Sequence, residues 1–430
     1  MKSTGPRVVL CGLALVATMA ALAFIDGRRD TLLFLAVAGL GSALYAAAAW
    51  TVLQATPAAR RGLWVCLALA IAARAPLLLA EPTISDDIYR YIWDGRLQRF
   101  GYNPYVSAPG DPALQHLHTD VTRRTGHPTL PTLYPPAAQW FFRGVAAMSE
   151  SVFAFKLAFV ACDLLIVVLL LRWLARVERS PWQVLVYAWN PLVIIEVAGS
   201  GHLDVLGALL LFLAFLALSE RHRFLAAIAF VAAVEVKALP IVLVPLLWRR
   251  LRARDVVLAC AFGLALATPF LLSPTGPSVG SLPTFFEKWR FNAPAFVFIE
   301  RFVRGRWLAA LPVVVGLVAA GLLRRWSAAP FTWAWPMAAA LLVMVTVYPW
   351  YLVWLVPFLG EVETLPLLVW TQSVLLTYFV WRVVAQGGAW ELPPWVLIVE
   401  FGSVVGACAF LAWRRTGRGG PARLIPGGPK

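Results

Sequence analysis

LWVCLALAIAARAPLLLAEPTISDDIYRYIWDGR, residues 63–96, joins a long apolar run to a dense cluster of charge. Crossing hydrocarbon takes about 20 apolar residues, and 63–80 comes close to that length. The second half then sets Asp86, Asp87, Arg90, Asp94 and Arg96 within eleven residues. In a chain of 430 residues that is 60% hydrophobic and 14% charged, such a cluster needs a reason. Placed at a membrane surface, it reads as a reactive site rather than a solvated face.

The same oily composition extends outward in both directions, with 20 Trp, 25 Phe and a mean hydropathy of +0.75. It excludes a soluble domain and implies repeated spans. Apolar runs fall near 8–25, 31–53, 63–80, 151–174, 181–198, 203–219, 223–236, 239–249, 255–272, 307–324, 330–348, 350–360, 364–384 and 395–413. Several are too short to cross alone. The pair 223–236 and 239–249, broken at Lys237 and Pro240, is expected to dip in and return. The expected fold is all-α and polytopic, with roughly 11–14 transmembrane or re-entrant helices. One domain is expected over 1–415, followed by a disordered cytoplasmic tail at 416–430. Lys2 and Arg7 precede the run Val8–Phe24 in the manner of a leader. The next run follows so closely that the first is read as a retained span.

The net charge of +15 is concentrated in arginine clusters at the ends of apolar runs. Arg60-Arg61, Arg249-Arg250-Arg252-Arg254, Arg324-Arg325 and Arg414-Arg415 follow the positive-inside pattern, which makes the bilayer the partner and excludes nucleic acid. If every run is one pass, both termini are cytoplasmic. Loops 81–150 and 273–306 then lie together outside. They carry Arg90, Arg96, Arg123, Arg124, Arg290, Arg301 and Arg304 against the usual bias, and binding an anion would explain these. Cys11, Cys66, Cys162, Cys260 and Cys408 all sit in apolar runs, with neither a disulfide framework nor zinc-ligand spacing.

Ser85 as N-cap and Gly101 as the residue past the C-cap predict a helix over 86–100. Ile88, Tyr91 and Ile92 recur at helical spacing, so this helix is expected to lie along the membrane surface. Asp86, Arg90 and Asp94 then share a face, with Asp87 one position around. Carboxylates at a helix N-terminus should stay ionised and can accept a proton from a hydroxyl nucleophile. The plainer reading is a capping aspartate with ordinary ion pairs.

Other polar residues also stand where apolar ones are expected. Glu196, His202 and Asp204 fall where two runs meet on the outer side, and buried ionisable groups there point to function. Helix capping by His202 and Asp204 is the alternative. Lys237 either reaches a phosphate or neutralises Glu235. Tyr134 opens a rigid Tyr-Pro-Pro segment, and Trp350 and Tyr351 are either substrate contacts or interfacial anchors. The segment 282–292 contains Lys288, Arg290 and Asn292 among aromatic rings. It reads either as an amphipathic interfacial helix or as an anion clamp beside a sugar.

Several stretches resemble bacterial GT-C glycosyltransferases, and among them the polyprenol-phosphomannose-dependent mannosyltransferases. They are SDDIYRYIWDGRLQRFGYNPY at 85–105, TLYPPAAQ at 132–139, WNPLVIIEVAGSGHLDVLGALLLFLA at 189–214, VKALPIVLVPLLW at 236–248 and YPWYLVWLVPFL at 348–359. The resemblance implies a GT-C fold with a juxtamembrane helix in the first outer loop. It also implies a catalytic acid there, Asp86 first and Asp87 second. Family members often carry a soluble C-terminal domain, which is not expected here.

The implied donor is a polyprenyl-phosphate sugar, and mannose is the implied sugar. The acceptor stays open between glycolipid, polysaccharide and protein. A phosphate leaving group calls for Arg and Lys, here Arg90, Lys237 and Arg290. Asp94, Arg96, Tyr134, Glu196, His202, Asp204, Asn292, Trp350 and Tyr351 are the candidate substrate contacts. No nucleotide-binding motif is present, which fits a lipid-linked donor. Direct displacement would invert the anomeric centre. A divalent ion (Mg or Mn) on Asp86, Asp87 and Asp204 is left open, since no spacing demands it. A transporter or lipid-linked glycan flippase is the rival reading. It predicts charges at the midplane of several spans, whereas these gather at one face.

Overall fold

The computed structural model describes residues 4–54, 60–273, 276, 278–303 and 305–416. Arg304 and the tail beyond Thr416 lie outside the described residues. The described residues form an all-helical bundle. In chain order its principal helices are α1 (Thr4–Leu22), α2 (Thr31–Gln54), α3 (Arg60–Leu79), α4 (Asp87–Arg99), α5 (Pro136–Met148), α6 (Val152–Arg176), α7 (Asp204–Ser219), α8 (Arg223–Val234), α9 (Ala253–Leu271), α10 (Leu311–Leu323), α11 (Phe331–Leu342), α12 (Val362–Ala385) and α13 (Pro394–Thr416).

Eight segments among the described residues are long and apolar enough to cross a membrane: α1, α2, α3, α6, α9, α10 with its flanks, α12 and α13. Large apolar side chains such as Trp64, Leu79, Val257, Leu322 and Ile398 point outward from them. That is the expected surface where lipid replaces water as solvent. Half of α12 is buried in the protein, against 11% of α13, so α12 is interior and α13 peripheral.

Three of the apolar runs are broken, the one at 239–249 as expected. Run 181–198 divides into a 3-10 turn at Pro181–Val184, short α turns at Leu185–Ala188 and Pro191–Val193, and a π turn at Ile194–Gly199. Proline lacks an N–H and restarts the helix each time. Asn190 caps the second restart by accepting from the Leu192 N–H at 3.0 Å. Runs 239–249 and 350–360 break for the same reason, at Pro240, Pro245, Pro349 and Pro357.

The first outer loop also departs from expectation. Helix α4 presents no free polar face of the kind an amphipathic surface helix shows, because ten of its thirteen residues are buried in the protein. Tyr91 stacks on Phe142 of α5 at 4.6 Å, and Gln98 donates to Gln139 at 2.8 Å. The N-cap is Asp86 rather than Ser85, and its side chain makes no capping bond. The far end is as expected. Gly101 has φ +82°, and the N–H groups of Gly101 and Tyr102 reach back to the carbonyls of Gln98 and Leu97. That is a Schellman closure, which favours glycine at this position.

Helices α3 and α6 are joined by a fully buried bidentate pair between Arg74 and Asp163. Arg74 also donates to the carbonyls of Ala70 and Ala188, each at 2.8 Å. The guanidinium is thus surrounded by acceptors, as a charge among spans requires. At the centre stands α7, with twelve of sixteen residues buried. Helix α8 runs back beside it, which brings Asp204 at the start of α7 together with residues 235–237.

Candidate active site

The N-terminus of α4 opens onto a small cavity of about 50 Å³. Asp86, Asp87 and Arg90 form one wall, the segment from Gly126 to Tyr134 another, and Ser281 and Trp289 a third. Gly126 is required by proximity: a Cβ there would lie 2.6 Å from Asp86 Oδ2. Arg90 is 8% exposed. Its Nη2 donates to the carbonyls of His127 and Leu130 at 3.1 and 2.7 Å, while Nη1 has no partner. Deeper in α4, Asp94 accepts from Thr132 Oγ1 at 2.5 Å and from Gln139 Nε2 at 3.0 Å. It therefore acts on the cavity through Thr132, and burial raises its carboxyl above the usual range.

Asp87 is held from both sides. Tyr134 Oη donates to Asp87 Oδ2 at 3.4 Å, and His202 Nδ1 stands 3.7 Å from the same oxygen. Burial pushes the Asp87 carboxyl up to about 7, and the neighbouring Asp86 adds to the rise. Lys237 and the Tyr134 hydrogen bond oppose it. At about 7 the Asp87 carboxyl is only partly ionised near neutral pH, short of the full ionisation expected for both carboxylates. A helix N-terminus stabilises an anion by about 1 kcal/mol, and removal from water outweighs that. The same burial raises the Tyr134 hydroxyl well above its ordinary value.

Behind Asp87 lies a buried polar group drawn from four segments. His202 stacks on Trp350 at 3.9 Å, and its Nε2 is 3.4 Å from Glu196 Oε2. The π turn carries Glu196 inward, where Oε1 accepts from Tyr378 at 2.7 Å. Asp204 Oδ1 accepts from Lys237 Nζ at 2.8 Å and from Trp354 Nε1 at 2.7 Å. Lys237 Nζ also sits 3.5 Å over the Tyr351 ring. Neither His202 nor Asp204 caps α7, whose N-cap is Leu203. Lys237 neutralises Asp204, not Glu235. Trp350 and Tyr351 face inward and do not anchor the protein in the interface.

Five polar atoms around this group are buried without a hydrogen-bond partner: Arg90 Nη1, Glu196 Oε2, Asp204 Oδ2 and both ring nitrogens of His202. Each such atom costs about 1–3 kcal/mol. Arg90 Nη1 belongs to the cavity wall, and the other four atoms lie in the polar group packed behind Asp87.

Three expected contacts lie elsewhere. Arg290 forms a bidentate pair with Glu300 at 3.2 and 2.8 Å and also donates to the Phe286 and Trp289 carbonyls. Asn292 donates to Glu400 of α13 at 3.0 Å. Arg96 donates to the Leu117 carbonyl at 2.6 Å and pairs with Glu150. Conversely, Gly126, His127, Thr132, Trp289, Trp354 and Tyr378 contribute to the site without having been expected. The His127 ring meets Trp289 at 4.8 Å, a contact visible only in the fold. Asp86, Asp87 and Asp204 do not form a metal-ligand set. Among the described residues no group of three or more His, Cys, Asp or Glu side chains is placed to hold a metal ion.

Residues 8–251 match the family described as alpha-(1->6)-mannopyranosyltransferase, N-terminal domain. No curated protein and no solved structure matches the chain.

Proposed function

The chain belongs to the alpha-(1->6)-mannopyranosyltransferase family, and from that premise we propose that it moves mannose from a polyprenyl-phosphate donor onto an acceptor hydroxyl in the Asp86–Asp87 cavity. The observation that carries this reading is the unpartnered Arg90 Nη1 beside the Asp86–Asp87 pair on the cavity wall, with the unpartnered atoms of Glu196, His202 and Asp204 packed behind Asp87. A sugar phosphate and a hydroxyl acceptor supply the donors and acceptors those atoms lack.

In this reading the acceptor hydroxyl gives its proton to Asp87 as its oxygen bonds to the anomeric carbon. The bond from that carbon to the phosphate oxygen breaks, and the polyprenyl phosphate leaves with the electron pair. A single displacement inverts the anomeric centre. A carboxyl raised to about 7 suits a base working near neutral pH. Asp86 keeps it raised. Arg90 Nη1 is the cation on the cavity wall free to meet the leaving phosphate. Lys237, held by Asp204 and partly exposed, adds positive potential from behind.

The same reading makes residues 1–415 one catalytic membrane domain. The arginine clusters orient it with both termini in the cytoplasm and the cavity outside, where a glycolipid, polysaccharide or protein acceptor is met. The test is transfer from polyprenyl-phosphomannose by the purified protein. An Asp86→Asn, Asp87→Asn double variant should lose transfer. Full transfer by that variant would remove the cavity from the reaction.

A further inference from the structure

We infer that the end of the bundle opposite the carboxylate cavity binds the phosphate headgroup of an acidic membrane lipid. Helix α7 starts at Asp204, beside the first cavity, and ends at Ser219; α8 starts at Arg223 and returns. At 1.5 Å per residue the two ends of α7 are roughly 24 Å apart. A second cavity, of about 750 Å³, opens at the far end between α6, α7, α8 and the start of α9.

Its rim and floor differ in chemistry. Arg172, Arg221, Arg223, Arg252 and Arg254 line the rim, faced by two carboxylates, Glu220 and Asp255. Arg172 is already neutralised, donating to both oxygens of Glu220 at 2.8 and 2.6 Å. Arg254 stands 3.6 Å from Asp255. The side chains of Arg221 and Arg223 have no ion-pair or hydrogen-bond partner among the described residues. Helices of twelve and nineteen residues begin here, and their N-termini add positive potential.

The floor is Leu169, Leu213, Leu216, Phe224 and Leu225, with Phe224 and Leu225 half exposed. A free anion would gain from the arginines alone. A lipid gains from both parts, with its phosphate on the arginines and an acyl chain along the leucines. Basic pockets between helix ends are where acidic headgroups bind.

The experiment reads lipid retention by native mass spectrometry, with the full chain taken from bilayers of phosphatidylcholine containing phosphatidylglycerol. The parent protein should keep phosphatidylglycerol in preference to phosphatidylcholine. Arg221→Gln with Arg223→Gln should weaken that retention roughly thirtyfold. Arg324→Gln with Arg325→Gln, arginines away from the cavity, should leave it unchanged. Leu213→Trp, which fills the floor without touching charge, should also reduce it. It keeps the test valid if the arginine variant unfolds more easily. Equal retention by the Arg221/Arg223 variant would overturn the inference, as would equal loss in the Arg324/Arg325 variant. Displacement by inorganic phosphate as readily as by lipid would overturn it too.

Discussion

Replacing Lys237 by Met tests whether the site behind Asp87 is as dry as its geometry implies. Asp204 is fully buried, and Lys237 is its only charged partner, at 2.8 Å. Stranding one member of a buried pair costs about 3–5 kcal/mol. Two features favour the low end. The Trp354 indole still donates at 2.7 Å, and the Lys237 side chain is 23% exposed. The expected loss is therefore about 3 kcal/mol, or roughly a hundredfold in the folded-to-unfolded ratio. Thermal unfolding of the detergent-purified protein, followed by tryptophan fluorescence, reads it. Adding Asp204→Asn removes the stranded charge and should recover all but about 1 kcal/mol, because the pair is coupled. Unfolding of Lys237→Met at the parental temperature would refute the reasoning. So would a double variant no better than the single one. If the recovered double variant keeps the parental donor KM, Lys237 has no contact with the phosphate.

Five further outcomes are expected. The kcat/KM of the parent should fall as pH drops through about 7, where Asp87 takes up its proton; Asp86→Asn removes a like charge and should move that limb acidward by about one unit, and an unmoved limb would reassign the base. Stability runs the other way: native Asp87 keeps its proton up to about 7 while the unfolded chain loses it near 4, so stability falls as pH rises across that window, and Asp87→Asn should unfold at a higher temperature than the parent above it. Arg290→Ala breaks a half-exposed pair with Glu300 and two hydrogen bonds to the Phe286 and Trp289 carbonyls, and should cost about 1–2 kcal/mol with the donor KM unchanged; a several-fold rise in KM would return Arg290 to the site. Gly126→Ala places a Cβ against Asp86 Oδ2 and should lower kcat with little change in unfolding temperature, and Asp111→Cys should react with an impermeant thiol reagent from outside, labelling from the cytoplasm alone reversing the orientation.

Local signals carried much of the fold. Apolar run length located α1, α2, α3, α6, α9, α12 and α13, and Gly101 marked the end of α4 through a backbone conformation that favours glycine. The run at 181–198 misled because hydropathy averages over proline, which is apolar but removes a hydrogen bond; the break near Pro240 was legible, and 350–360 was too short to cross alone. Charge scarcity was enough to single out Asp86, Asp87, Glu196, His202 and Asp204. It could not say which groups meet. Asp204 finds Lys237 33 residues away and Trp354 150 away, while Arg290 finds Glu300 within its own loop. The burial of α4 was hidden for the same reason: the rings that cover it belong to α5, and nothing within 86–100 records them.

The pair joining α3 to α6 bears on how the chain is made. Arg74 and Asp163 are 89 residues apart, with the whole first outer loop between them. At a synthesis rate of about 5–20 residues per second, Arg74 waits roughly 4–18 s for its counter-ion. During that interval a lone guanidinium in lipid costs about 2.5–3.5 kcal/mol on the insertion scale. Helix α3 is therefore held at the insertion machinery, or sits shallow in the bilayer, until α6 emerges. In the orientation proposed above, the loop that carries Asp86 and Asp87 would cross the membrane before the helix on which it stands is secured.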